Sequence, residues 1–184
     1  YICFKYYSIN MKNLFLFLCA VFIFISCSKA DAIDENGRTL LEVASNHPNK
    51  ASWIENSEMK SRNGDAMGYG VYLNPNSKKL AIFLDGGGAC FNGFTCSNNR
   101  DCYSEEDFLT RVASENALII NRNSDKNQFK DWNFVFVPYA TGDVHSGSNT
   151  AANVPNGGPK NQTMVGFNNF TLVLKDLKNY FEDT

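Results

Sequence analysis

Leu80-Ala-Ile-Phe-Leu-Asp-Gly-Gly-Gly-Ala-Cys-Phe-Asn-Gly-Phe-Thr-Cys96 is a short apolar run that enters three consecutive glycines and then two closely spaced cysteines. Leu80 to Leu84 has strand length, a branched Ile82 and an aromatic Phe83. It follows the turn-rich Asn74-Pro-Asn-Ser-Lys-Lys79, so it reads as a buried strand. The glycines end it. Lacking Cβ atoms, Gly86, Gly87 and Gly88 can take φ > 0 and turn backbone N–H groups toward an anion. A tight turn without a ligand is the plain alternative. A dinucleotide fingerprint needs a helix to open at the glycines, whereas Cys90-Phe-Asn-Gly-Phe-Thr-Cys96 follows; a P-loop needs a Gly-Lys-Ser/Thr that is absent.

What fits a glycine run after an early strand is the oxyanion loop of an α/β-hydrolase, and the flanking chain agrees with that fold. Upstream, Tyr69-Gly-Val-Tyr-Leu73 reads as a strand that the 74–79 turn joins to Leu80–Leu84 as a hairpin. Downstream, Ser104 with Asp107 resembles a capping box, and Phe108, Leu109, Val112 and Ala113 share one face, which predicts a helix ending near Asn116. A polar loop over 121–131 leads to a second strand in Trp132-Asn-Phe-Val-Phe-Val-Pro-Tyr139. Strand, helix, strand favours a parallel sheet. Phe167, Phe170, Leu174, Leu177 and Phe181 recur with helical period, so Gly166 to Asp183 reads as a helix whose stripe packs into the core.

The 184 residues and the net charge of −2 fit one globular domain and show no basic patch for nucleic acid. Met11-Lys-Asn precedes the apolar run Leu14 to Ile25, which has signal-peptide length. Residues 1–10 are then leader ahead of the start, 11–26 the signal, 27–50 an irregular tether and 51–184 the partial domain. Phe24-Ile-Ser-Cys27 resembles a bacterial lipobox, which makes Cys27 a lipidation site and the membrane a partner through the acyl anchor. Phe24 departs from the usual Leu there, so ordinary signal cleavage is the alternative. Export places Cys90, Cys96 and Cys102 in an oxidising compartment, where disulfides come before metal ligands. No histidine sits near them and their gaps are wide for zinc, so neither metal nor cofactor is expected.

Three blocks resemble the pectin acetylesterase and Notum family of α/β-hydrolase-fold carboxylesterases, especially its bacterial branch. They are Met59-Lys-Ser-Arg-Asn-Gly-Asp-Ala-Met-Gly-Tyr-Gly-Val71, Leu84-Asp-Gly-Gly-Gly-Ala-Cys-Phe91 and Trp132-Asn-Phe-Val-Phe-Val-Pro-Tyr-Ala-Thr-Gly-Asp-Val-His-Ser-Gly147, in matching order and separation. The resemblance implies that the N–H groups of Gly87, Gly88 and Ala89 form the oxyanion hole, and that Cys90 pairs with Cys96. It also implies an ester-bearing small molecule or polysaccharide as substrate. Ser61 and Ala140 stand where the family commonly has a cysteine pair. Cys102 is then a thiol or joins a residue beyond Thr184.

Asp143, His145 and Ser146 lie just past the second strand, where functional loops of α/β folds gather, and are read as substrate contacts; a purely structural loop is the alternative. They are not expected to form a triad, because neighbours on one loop rarely meet in base-to-nucleophile geometry. No Gly-x-Ser-x-Gly elbow occurs in these residues. The expectation is therefore the amino-terminal portion of an α/β-hydrolase, an incomplete and mostly parallel sheet with flanking helices, truncated before its nucleophile. The competing reading is a non-catalytic surface lipoprotein or a pseudogene product.

Overall fold

The computed structural model describes residues 33–34, 37–114 and 118–182. The leader, the signal and the lipidation site expected at Cys27 lie outside them. A five-stranded sheet contains β1 (Ile33–Asp34), β2 (Ser52–Lys60), β3 (Ala66–Tyr72), β4 (Leu80–Leu84) and β5 (Asn133–Val137), ordered β1-β2-β3-β5-β4. Among the described residues four α-helices accompany it, α1 (Leu40–Asn46), α2 (Gly93–Ser97), α3 (Glu105–Ala113) and α4 (Gly166–Glu182), with a 3-10 turn at Leu118–Ile120. A separate hairpin is built from β6 (Asn149–Ala152) and β7 (Gln162–Met164).

β5 is buried along its whole length, which explains its unbroken Phe-Val-Phe-Val character. It pairs in parallel with β4, as the strand-helix-strand pattern predicts, but antiparallel with β3. β1, β2 and β3 are also antiparallel to their neighbours, so the sheet is mixed rather than mostly parallel.

The expected hairpin between Tyr69–Leu73 and Leu80–Leu84 does not form, because β5 lies between those strands. The 73–79 connection instead steps over one strand, a reach of about 10 Å at normal strand spacing. Asn133 holds it there. Its Oδ1 accepts from Asn74 N at 2.9 Å and its Nδ2 donates to Ser77 O at 2.6 Å, while the buried side chain has no contact with solvent.

The stretch assigned to an irregular tether contains α1. Thr39 caps it, with Glu42 reaching back to the Thr39 N–H at 2.8 Å in a capping box, and Leu40, Val43 and Ala44 are buried. Helix α3 starts at Ser104 with the predicted box; only Phe108 of its expected face is fully buried, and Leu109 is exposed.

Helix α4 is rotated from its expected stripe. Val173, Leu177 and Tyr180 are buried, but so are Asn169 and Asp176, while Phe167 and Leu174 face outward. The polar pair sets the rotation. Asn169 Oδ1 accepts from Lys60 N at 3.0 Å and its Nδ2 donates to Lys60 O at 2.7 Å. Asp176 Oδ2 accepts from Asn56 Nδ2 and from Tyr69 OH, each at 3.2 Å. A bulge in β2 between Asn56 and Lys60 makes room for these contacts.

Burial pushes the Asp176 carboxyl above its usual value of 3.8, and bonds from Asn56 and Tyr69 only partly oppose this. A group whose pKa rises on folding contributes stability that is complete below the unfolded value and is lost as pH climbs through the folded one. Asp176→Asn is therefore expected to match or exceed wild-type stability at neutral pH and to flatten the decline above pH 3.8. Denaturant midpoints measured from pH 3 to 7 check this, and an unchanged slope would reject it.

Candidate active site

The glycine loop leaves the carboxyl end of β4, fixed by Asp85 N donating to Val137 O at 2.9 Å. Gly88 has φ +83°, a conformation that only glycine adopts without strain. The N–H groups of Gly87, Gly88 and Ala89 donate to no acceptor among the described residues. These residues line an open cleft of about 470 Å³ with Phe91, Phe94, Thr95, Asn98 and Asn99. Phe91 and Phe94 form an exposed aromatic rim.

Cys90 and Cys96 are joined in a disulfide, and Cys102 lies outside it. Between them Asn92 caps α2: its side chain accepts from Thr95 N at 2.8 Å, while Thr95 Oγ1 accepts from Asn92 N at 3.0 Å. This short helix was not legible in the cysteine-spaced run. Cys90 and Cys96 pack with Val154 and Met164 of the β6–β7 segment, and Gly93 N donates to Asn156 O at 3.2 Å. Residues 149–164, rich in Gly, Asn and Pro, thus form a hairpin flanking the cleft.

At the carboxyl end of β5 the chain turns sharply. Val144 and His145 take φ of +53° and +57°, which is strained for a β-branched residue and its neighbour. Two contacts enforce it: Val144 N donates to Tyr139 OH at 2.9 Å and His145 N to Asp143 Oδ1 at 3.1 Å. The turn brings His145 against the glycine loop, where its Nε2 lies 2.9 Å from Asp85 O and its ring 4.9 Å from that of Tyr139.

The Asp143 carboxylate is taken up by its own loop and by the start of α4. Oδ1 also accepts from Thr141 Oγ1 at 2.6 Å, and Oδ2 from Gly166 N at 2.7 Å at the start of α4, where the helix dipole favours an anion. Ser146 is exposed and its Oγ donates to Asp143 O at 2.8 Å. No bond joins the Ser146 hydroxyl to the His145 ring, or that ring to the Asp143 carboxylate, so these residues make no triad.

Asp85, just before the glycines, is half-buried. Burial pushes its carboxyl up, opposed by Arg111 at 3.7 Å and by the Gly86 N–H. Arg62 and Tyr139 are residues of this site that the sequence reading passed over. Tyr139 underlies the loop, since a Cβ on Gly87 would stand 2.9 Å from its ring. No local pattern marks either residue, because each acts on segments distant in the chain.

The mixed sheet, with its glycine loop at the end of a strand-helix-strand unit, has the α/β-hydrolase fold. The chain belongs to the pectinacetylesterase family, whose family model matches residues 50–180. The Wnt deacylase Notum from Drosophila shares the fold with a TM-score of 0.52 at 20% identity, covering 73% of this chain and 39% of that one. Palmitoleoyl-protein carboxylesterase NOTUM of Schmidtea mediterranea is 33% identical over 99 residues, which are 50% of this chain and 18% of that protein. The inactive palmitoleoyl-protein carboxylesterase notum1b of Danio rerio is 29% identical over 107 residues, 55% of this chain and 76% of its own. The match thus spans about a fifth of the Schmidtea mediterranea protein.

Proposed function

We propose that these residues form the oxyanion-stabilising half of an exported carboxylic ester hydrolase acting on acetyl or acyl esters of a small molecule or polysaccharide. The observation that carries this reading is the row of unpaired N–H groups at Gly87, Gly88 and Ala89 along the cleft. When a serine oxygen adds to an ester carbonyl, the carbonyl oxygen gains negative charge; donors already in place stabilise that charge without reorganising. The Cys90–Cys96 disulfide keeps them in place. His145 supports the loop from behind through the Asp85 carbonyl, Asp143 holds the turn that carries His145, and the exposed Ser146 stands ready for a substrate contact.

The serine, its histidine base and the acid come from polypeptide outside these residues, which contain no Gly-x-Ser-x-Gly elbow. Purified alone, the 184-residue chain is expected to hydrolyse 4-nitrophenyl acetate no faster than buffer, whereas a longer product that carries an elbow turns it over. An inactive longer product would overturn the proposal, as would turnover by the shorter chain. The apolar run and Phe24-Ile-Ser-Cys27 support export and a bacterial lipid anchor. Cys27→Ala should move the protein out of the membrane and detergent-phase fractions; unchanged partitioning rejects the anchor.

A second reading is favoured by the zebrafish relative, which is described as inactive and is matched over 76% of its length. In that reading the chain is a non-catalytic surface protein that keeps the cleft for binding. It requires that the longer product, too, show no turnover.

A further inference from the structure

We propose that Arg62 is the positioning residue of the glycine loop: its guanidinium ties the disulfide helix and the β6–β7 hairpin to the sheet and thereby fixes the outer wall of the cleft. This rests on reading Gly87 to Ala89 as an oxyanion hole. Arg62 is 4% exposed, and none of its partners is a carboxylate. Nη2 donates to Cys96 O at 3.3 Å and to Asn99 O at 3.2 Å, and Nη1 donates to Gln162 Oε1 of β7 at 2.9 Å. Nε has no hydrogen-bond partner.

The main chain of Arg62 is anchored as firmly as its side chain. Its N–H donates to Ala140 O at 2.8 Å, just after β5, and its carbonyl accepts from Thr163 N at 2.9 Å. The stem packs beside the disulfide, where space is set by Gly142: a Cβ there would lie 2.6 Å from Cys90 Cβ and 3.2 Å from Arg62 Cδ. Cys90 N in turn donates to Gly142 O at 2.8 Å. Through its side chain and main chain together Arg62 therefore joins four segments distant in sequence, its own included, and four of the cleft-lining residues, Phe94, Thr95, Asn98 and Asn99, belong to the segment its guanidinium holds.

A buried guanidinium costs desolvation, and burial pulls its pKa down while Asp101 and Tyr139 pull it back up. The carbonyls of Cys96 and Asn99 lie at the carboxyl end of α2, where a cation is favoured. A planar guanidinium presents donors from separate nitrogens in a rigid fork that reaches acceptors on two different segments, whereas an ammonium offers its three donors from a single point on a flexible stem. Positioning thus depends on the shape of arginine as well as on its charge.

The test uses amide hydrogen exchange and the redox titration of the Cys90–Cys96 disulfide on the full chain, neither of which requires turnover. Arg62→Met should accelerate exchange at the Cys90, Cys96 and Asn99 amides by about tenfold or more, from the loss of charge-assisted bonds. Exchange in β2, β3 and β5 should stay unchanged. Reduction of the disulfide should become easier by about tenfold, or about 30 mV for a two-electron couple. Arg62→Lys should fall between wild type and Arg62→Met.

Unchanged exchange at those three amides, or an equal rise across the sheet, overturns the proposal while leaving the hydrolase reading intact. If Arg62→Met does not fold, Gln162→Ala decides: removing one arm should speed exchange at the same amides by about threefold, and no local rise there overturns the proposal. An inactive elbow-bearing product with the expected local exchange would instead remove the hydrolase reading and keep Arg62 as the clamp.

Discussion

Gly88→Val in an elbow-bearing product lowers kcat by about 10² to 10³, the loss expected when one oxyanion donor is removed, with little change in KM. The cause is the backbone rather than crowding. A Cβ at Gly88 would meet only Asn99 Nδ2, at an ordinary 3.5 Å. A β-branched residue does not hold φ near +83°, however, so the peptide planes on either side rotate toward negative φ and swing their N–H groups away from the cleft. Steady-state kinetics on 4-nitrophenyl acetate measure the effect. A kcat near wild type would mean that the developing charge is stabilised elsewhere.

Phe108→Ala costs about 3 to 5 kcal/mol of stability, the range for emptying a fully buried aromatic site. Phe108 is 0% exposed and fastens α3 to the sheet, with its ring 5.5 Å from Phe136 and 5.9 Å from Trp53. Gly70 on β3 is shaped to it, since a Cβ there would lie 2.2 Å from the ring. The loss reaches the site, because α3 also carries Arg111 to within 3.7 Å of Asp85. Urea unfolding gives the number, and a loss below about 1 kcal/mol, as for a surface change, would show that α3 is not held by this ring.

Much of the fold was legible where one local rule acted alone. Ser104 and Asp107 started a helix in the predicted place, and the apolar run of β5 became a fully buried strand. The apparent hairpin failed because β3 and β4 are indeed antiparallel to each other, but β5 enters between them from residues far along the chain. Helix α4 kept its extent yet turned its stripe, because hydrogen bonds from Asn169 and Asp176 to β2 and β3 outweighed the burial of Phe167 and Leu174. The capping box at Thr39 and Glu42 was present to be read in the supposed tether. Its helix is one of the shortest here, with too few apolar residues to establish a period.

For the site, residue chemistry by itself determined the glycine loop, since three adjacent residues without Cβ atoms leave the backbone as the available donor surface. Resemblance to a family supplied the pairing of Cys90 with Cys96. The tertiary structure decided what surrounds the loop: a cleft walled by α2 and flanked by a hairpin, His145 against the Asp85 carbonyl, and Asp143 turned inward on its own loop. It also decided the place of Arg62, an arginine with no local pattern to mark it. A buried guanidinium takes its role from carbonyls that other segments bring to it, and those segments meet only when the sheet, the disulfide and the hairpin are assembled.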